Sequence, residues 1–138
     1  MKRNLLVLAA QALLYLLAAF VPMFSAEEAQ KGLSLLAGRE NTAIGADCVT
    51  ILDDPFHPSA PRAFDAEGTP SRTKAVVENG VLKTLLHNLK TAKKANAEST
   101  GNAVRTTASA PVGVGPSVLY VRPGETPFAE LAKLLGDG

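Results

Sequence analysis

The 138-residue sequence has no tryptophan, a single cysteine, two histidines and only 5% aromatic residues. Each shortage excludes something. The lone Cys48 rules out an intramolecular disulfide, and with no histidine cluster beside it there is no zinc-finger spacing. Such a thiol is expected to be buried as a small, inert hydrophobe. With few aromatics, Ala, Leu and Val must build the core, and a chain of this length has room for one domain. A charge excess is missing too: 14 Lys and Arg stand against 13 Asp and Glu. No strong field therefore recruits nucleic acid or an anionic membrane.

One long apolar stretch is present. Leu5 to Met23, behind Lys2 and Arg3, is long enough to span a bilayer and superficially matches a secretory signal or anchor. The cleavage positions are poor, because Met23 or Phe24 would stand where a small side chain is needed, and Gln11 and Pro22 interrupt the run. Its apolar residues coat most of a helix, so the segment reads as a buried helix ending at Pro22. Ser25 and Glu28 then have capping-box spacing, predicting a second helix over 26–37 that stops at Gly38 and completes a helical hairpin.

Asp47 to Leu52 reads as a strand, and the proline-punctuated stretch from Pro55 to Pro70 as a long surface loop. The clearest local signal is Asn79-Gly80 between two strand-like runs, 72–78 and 81–86. This dipeptide supplies both positive-φ positions of a type I′ turn, predicting a β-hairpin. A short exposed helix is expected over 87–97, a loop over 99–116 and a strand over 117–122. A last helix should begin at Thr126-Pro127 and end at Gly136. With no alternation of strand and helix, the fold class is α+β: an antiparallel sheet packed by the helical hairpin and the C-terminal helix.

Chemistry is sparse. Asp53, Asp54, Asp65 and Glu67 fall within fifteen residues, yet prolines break any calcium-loop spacing, and carboxylates of turns and caps explain them better. His57 and His87 are thirty residues apart, without HExxH or HExxxH spacing, and read as surface residues. No GxSxG elbow surrounds a serine. Gly101, Gly113 and Gly115 lie in a Gly/Ser/Thr-rich loop but form no phosphate-binding motif, and Lys90, Lys93 and Lys94 read as a solvated helix face.

Several collinear segments carry a family resemblance. Phe64-Asp65-Ala66-Glu67-Gly68-Thr69-Pro70 and Val76 to Lys83 (VVENGVLK) resemble the DDEG-x-P and LIENGVLK signatures of the PmbA/TldD family. Thr91 to Lys94 (TAKK), Ser99 to Ala103 (STGNA) with Arg105, Thr50 to Pro55, and Leu119 to Gly124 resemble further stretches of it in the same order. Two positions depart from the pattern: Ala66 replaces the second Asp of DDEG, and Ser117-Val118 stands where Thr-Asn is usual.

The resemblance implies a cytoplasmic, two-subunit metalloprotease acting on peptides. In it a TldD-type subunit holds zinc on HExxxH and a distant cysteine, and a PmbA-type subunit lacks those ligands. This chain is expected to be an internal piece of a longer protein, most like the PmbA-type subunit and non-catalytic by itself. It would hold no cofactor, the zinc belonging to a TldD-type partner, and would pair with that partner or with itself. A TldD-type subunit cut short and a secreted or anchored small binding domain are the alternatives. Asp65, Glu67, Gly68, Gly101, Asn102 and Arg105 are the candidate residues of a peptide channel or subunit interface, bordered by the loops 55–70 and 99–116.

Overall fold

The computed structural model describes residues 8, 11, 12, 15–127, 129, 130 and 133. The chain divides into two compact units, Val21–Arg122 and a unit comprising Met1–Phe20 with Pro123–Gly138. In the second of these, the described residues 15–20 are helical, as are 129, 130 and 133. Leu8, Tyr15, Leu16 and Phe20 are exposed there, contrary to the expectation of a buried helix. Apolar residues all round a helix favour burial, but periodicity says nothing of the surface that would cover them. Most of the expected C-terminal helix, and of the segment 5–14, lies outside the described residues.

The unit Val21–Arg122 is α+β, as the sequence predicts. Six strands, β1 (Ile51–Asp53), β2 (Lys74–Glu78), β3 (Val81–Leu82), β4 (Ala103–Val104), β5 (Gly113–Val114) and β6 (Leu119–Val121), form two sheets. The larger has the order β3-β2-β1-β6, all antiparallel, with a bulge between β1 and β2 at Ile51/Leu52. Strand β1 is therefore central, and whatever Asp53 at its end binds is held by two neighbours. The β2–β3 hairpin turns at Asn79 (φ 49°) and Gly80 (φ 75°), the two positive angles that Asn-Gly predicts.

A 3-10 turn, Val21–Phe24, leads into helix α1 (Ala26–Gln30), and helix α2 spans Leu89–Ala95. Ser25 caps α1, but the helix ends seven residues before the expected Ala37. Gly32 takes φ 75°, and a Schellman pair forms, Gly32 N–H to the Ala29 carbonyl and Leu33 N–H to the Glu28 carbonyl. Glycine at that position stops the helix earlier than Gly38 could. Asn88 and Thr91 form a reciprocal capping box on α2, and Asn96 closes it in the left-handed region.

Three further expectations are corrected. Cys48 is exposed: it sits in a turn closed by Val49 N–H on the Ala46 carbonyl, and the strand begins only at Ile51. His87 is buried, because Thr100 and Asn102 both donate backbone N–H groups to its carbonyl and so lay the 99–102 segment over it. The stretch 99–116 is not all loop, since β4 and β5 pair within it; two-residue strands offer no periodicity to read.

The core comprises Phe24, Ile51, Val76, Val77, Leu82, Leu85 and Leu86, among others. Each such Leu or Val contributes about 1.5–3 kcal/mol when fully buried. Val76 and Val77 are adjacent in β2 yet both buried, so the sheet is covered on both faces there. Gly80 is the tightest backbone point: a Cβ on it would lie 2.5 Å from the Gly45 carbonyl oxygen, whereas one on Gly68, at φ 79°, would meet nothing within 4 Å. We expect Gly68→Ala to cost about 1 kcal/mol of backbone strain and Gly80→Ala more than about 3 kcal/mol. Urea unfolding of the 138-residue chain measures both, and equal losses would contradict the packing around the turn.

Candidate functional site

The most polar part of the interior is built around one carboxylate. Asp53, at 0% exposure, ends β1. Its Oδ1 accepts the Ser117 N–H at 2.7 Å, and its Oδ2 accepts from Lys74 Nζ at 3.0 Å and from Asn102 Nδ2 at 2.7 Å. A buried charge is costly unless paired and hydrogen-bonded, and Asp53 is both. Burial pushes the Lys74 ammonium below its ordinary pKa, and the attraction of Asp53 only partly opposes this.

Asn102 has every hydrogen-bonding position filled. Its amide donates to Asp53 and to the Gly115 carbonyl (3.1 Å), and its Oδ1 accepts from Lys74 Nζ (3.1 Å) and Thr100 Oγ1 (2.7 Å). This single side chain thus ties β1, β2 and both arms of the β4–β5 hairpin together. Thr100 Oγ1 also accepts the His87 N–H at 2.7 Å.

Asp65 carries out a second junction. Its Oδ1 accepts the Glu67 and Thr69 amides at 2.9 Å each, closing the turn in which Gly68 takes φ 79°. Its Oδ2 accepts the Ala103 N–H at 3.0 Å, and the Ala66 N–H donates to the Ala103 carbonyl at 3.1 Å. Gly101, at φ 71°, lies so close to Pro70 that a Cβ would meet the Pro70 carbonyl oxygen at 2.9 Å. The two loops read separately from the sequence are thus bonded to each other.

Of the six candidate residues, Asp65, Gly101 and Asn102 are buried in this junction, and Glu67 Oε2 caps α2 at the Leu89 N–H, 2.8 Å away. Gly68 and Arg105 are exposed; Arg105 Nη1 donates to the Ala108 carbonyl at 3.3 Å. The turn-and-cap reading thus fits Asp65 and Glu67, and also Asp54, which accepts from Thr73 Oγ1 and the Phe56 N–H. Those two bonds hold its carboxyl below the ordinary range. Asp53 is the exception to that reading, bonded instead to Lys74, Asn102 and the Ser117 amide, and nothing in the sequence singles out Lys74. Asp53 and Asn102 lie in segments carrying the resemblance, Thr50 to Pro55 and Ser99 to Ala103; Lys74 lies between two of them.

Among the described residues, no three His, Cys, Asp or Glu side chains gather to hold a metal ion. His57 Nδ1 is 2.7 Å from Ser59 Oγ, far in sequence and role from His87 beside α2. The described side chains thus offer zinc no ligand set.

The family model for the PmbA/TldA metallopeptidase C-terminal domain matches residues 2–138. The chain belongs to that family. A metalloprotease of Methanothermobacter thermautotrophicus is 37% identical over 109 residues, which is 78% of this chain and 24% of that protein. A crystal structure from Thermotoga maritima, named as a candidate modulator of a DNA gyrase, is similar with a TM-score of 0.78 and 47% identity, over 86% of this chain and 27% of that one. TldE from Thermococcus kodakarensis is similar with a TM-score of 0.74 and 32% identity, over 85% of this chain and 26% of that one. The chain spans about a quarter of the length of these relatives.

His87 gives the junction a pH dependence. Burial holds its imidazole below the ordinary pKa, with the Glu40 carboxylate opposing more weakly. The folded chain therefore keeps the ring neutral while the unfolded chain takes up a proton near pH ~6.5. Stability is fully present above that value and declines as pH falls through the lowered folded pKa. We expect the unfolding midpoint to drop between pH 7.5 and 5.5 by less in His87→Gln than in the parent chain. Equal drops in urea titrations at the two pH values would contradict this.

Proposed function

We propose that this chain is the C-terminal-domain portion of a PmbA-type subunit of a peptide-degrading metalloprotease, non-catalytic by itself. It acts with a TldD-type partner that supplies the zinc, or with a second copy of itself. The PmbA-type assignment is supported by the STGNA stretch of residues 99–103 and by the absence of an RR or RM-x-N pattern after it. A cytoplasmic location is part of the proposal; no helix among the described residues is long and apolar enough to cross a membrane.

The observation that carries the peptide-handling role is the junction of the two loops through Asp65 and Ala103. It makes one ordered border of segments far apart in sequence, with Gly68 and Arg105 on its exposed side. Nearby in the fold, β6 is an edge strand of the larger sheet, and an edge can receive an extended peptide through main-chain hydrogen bonds without demanding a sequence. The other edge, β3, is less available, since Asn41 donates to the Leu82 carbonyl and Leu82 to the Thr42 carbonyl.

The test is peptide degradation by a full-length subunit carrying this domain, assembled with a TldD-type partner. Arg105→Glu leaves Asp65, Gly101 and Asn102 in place. It should lower peptide turnover about three- to tenfold, as expected for reversing an exposed charge at a recognition border, with urea stability nearly unchanged. Unaltered turnover and unaltered pairing would sink the role given to this border.

A further inference from the structure

The β6 edge of the larger sheet has a direction, and an arginine stands at one end of it. The Asp54 N–H donates to the Val118 carbonyl at 2.9 Å and the Arg122 N–H to the Thr50 carbonyl at 2.8 Å. In an antiparallel ladder these bonds turn the backbone groups of residues 118, 120 and 122 towards β1. The amides and carbonyls of Leu119 and Val121 therefore face outward, and among the described residues no strand pairs with them.

Arg62 reaches the Ser117 end of this edge. Its backbone N–H donates to the Pro55 carbonyl at 2.7 Å, closing the loop 55–62, and its Nη2 donates to Ser117 Oγ at 2.9 Å. Ser117 is itself held by its amide on the buried Asp53, so the guanidinium is tethered just before β6. Its Nε is enclosed by the fold, whereas Nη1 is neither enclosed nor bonded among the described residues. Arg62 is half-buried and has no ion pair there. The nearby acids are taken: Asp53 pairs with Lys74 at 3.0 Å, and Asp54 accepts from Thr73 and the Phe56 amide. Arg62 and Arg72 are both close enough to repel the Lys74 ammonium, so this end of the sheet gathers cations.

An extended peptide can join β6 in either direction, and charge tells the two apart. Joined antiparallel, as every strand of this sheet is to its neighbours, it brings its C-terminal carboxylate to the Ser117 end. Joined parallel, it brings its N-terminal ammonium there. A guanidinium with donors to spare attracts the first and repels the second, and a carboxylate is the planar acceptor that its fork fits.

We propose that Arg62 sets the polarity of the bound peptide by holding the free C-terminal carboxylate of a chain that joins β6 antiparallel. The substrate class so defined is peptides with an unblocked C-terminus, docked by their last few residues. This rests on the reading of β6 as the edge that receives the peptide.

The test is fluorescence anisotropy with the full-length subunit carrying this domain, without its TldD-type partner, so that binding is read apart from cleavage. The probe is an octapeptide of alternating Ser and Val with an uncharged dye at its N-terminus, as the free acid and as the C-terminal amide. A third probe is the same acid N-methylated along its backbone. The free acid should bind about three- to tenfold more tightly than the amide. Arg62→Gln should close that gap by weakening the acid alone, and Arg62→Lys, which keeps the charge, should preserve most of it. The methylated acid should bind at least about tenfold more weakly, because it cannot pair with a strand. Acid and amide bound equally, with the methylated probe still weak, would overturn the role of Arg62 and leave the edge reading standing. So would a gap that survives Arg62→Gln. A methylated probe bound as tightly as the acid, or no saturable binding of any probe, would remove the edge reading and this proposal with it. Polarity is also read without any variant: a benzophenone at the peptide N-terminus should crosslink near Val121, and crosslinks to the loop 55–62 instead would overturn the proposal even if Arg62→Gln fails to fold.

Discussion

The fold depends most on keeping one buried carboxylate satisfied. Asp53 ends the central strand of the larger sheet, where there is no water to solvate it, so its partners must come from the chain. They come from three places: Lys74 at the start of β2, Asn102 in the 99–102 segment, and the Ser117 amide just before β6. Segments up to 64 residues apart are brought together by one side chain. Removing any of them leaves part of a charge unmet, which is why the segments are ordered together. The hydrophobic core assembles the sheet, but it would tolerate sliding; directional bonds to a fixed carboxylate do not.

Asn102 passes this constraint on. Its four filled positions join Asp53 and Lys74 to Thr100 and Gly115, and its neighbour Ala103 is gripped by Asp65 from the other loop. A long irregular segment loses much conformational entropy when ordered. Here the loss is offset by buried, charge-assisted hydrogen bonds, the strongest kind available to a loop. What the fold presents outward at this place, Gly68 and Arg105, is thus backed by a rigid interior. Recognition through backbone and a few exposed groups gains from such backing, since less order has to be imposed on binding.

Legibility in the sequence followed the range of the interactions. The Asn79-Gly80 turn, the Ser25 cap and the antiparallel α+β class are local or compositional, and each is present as read. Glu67 and Asp65 read correctly as cap and turn carboxylates, because their main bonds lie within a few residues or at a helix start. The short α1 was legible in principle from Gly32, which competes with Gly38 for the same αL role; spacing alone does not rank the two. Cys48 is exposed in a local turn that precedes the strand, whereas the burial of His87 is set by the distant 99–102 segment laid over it. The Asp53–Lys74–Asn102 cluster is of the same kind: three polar residues at separations of 21 and 28 share no pattern that a single sequence displays. Family likeness marked the segments of Asp53 and Asn102, though not Lys74, and did not say that they touch.

Asn102 couples the sheet to both loops. Native-state hydrogen exchange on the 138-residue chain tests it through the variant Asn102→Ala. The Ala103 amide, bonded to Asp65, and the Gly115 amide, bonded to the Asn102 carbonyl, should lose protection together. The Lys83 amide, bonded to the Val76 carbonyl at the β2–β3 hairpin, should keep most of its own. Loss at Gly115 alone with Ala103 still protected, or a uniform loss across all three, would contradict it.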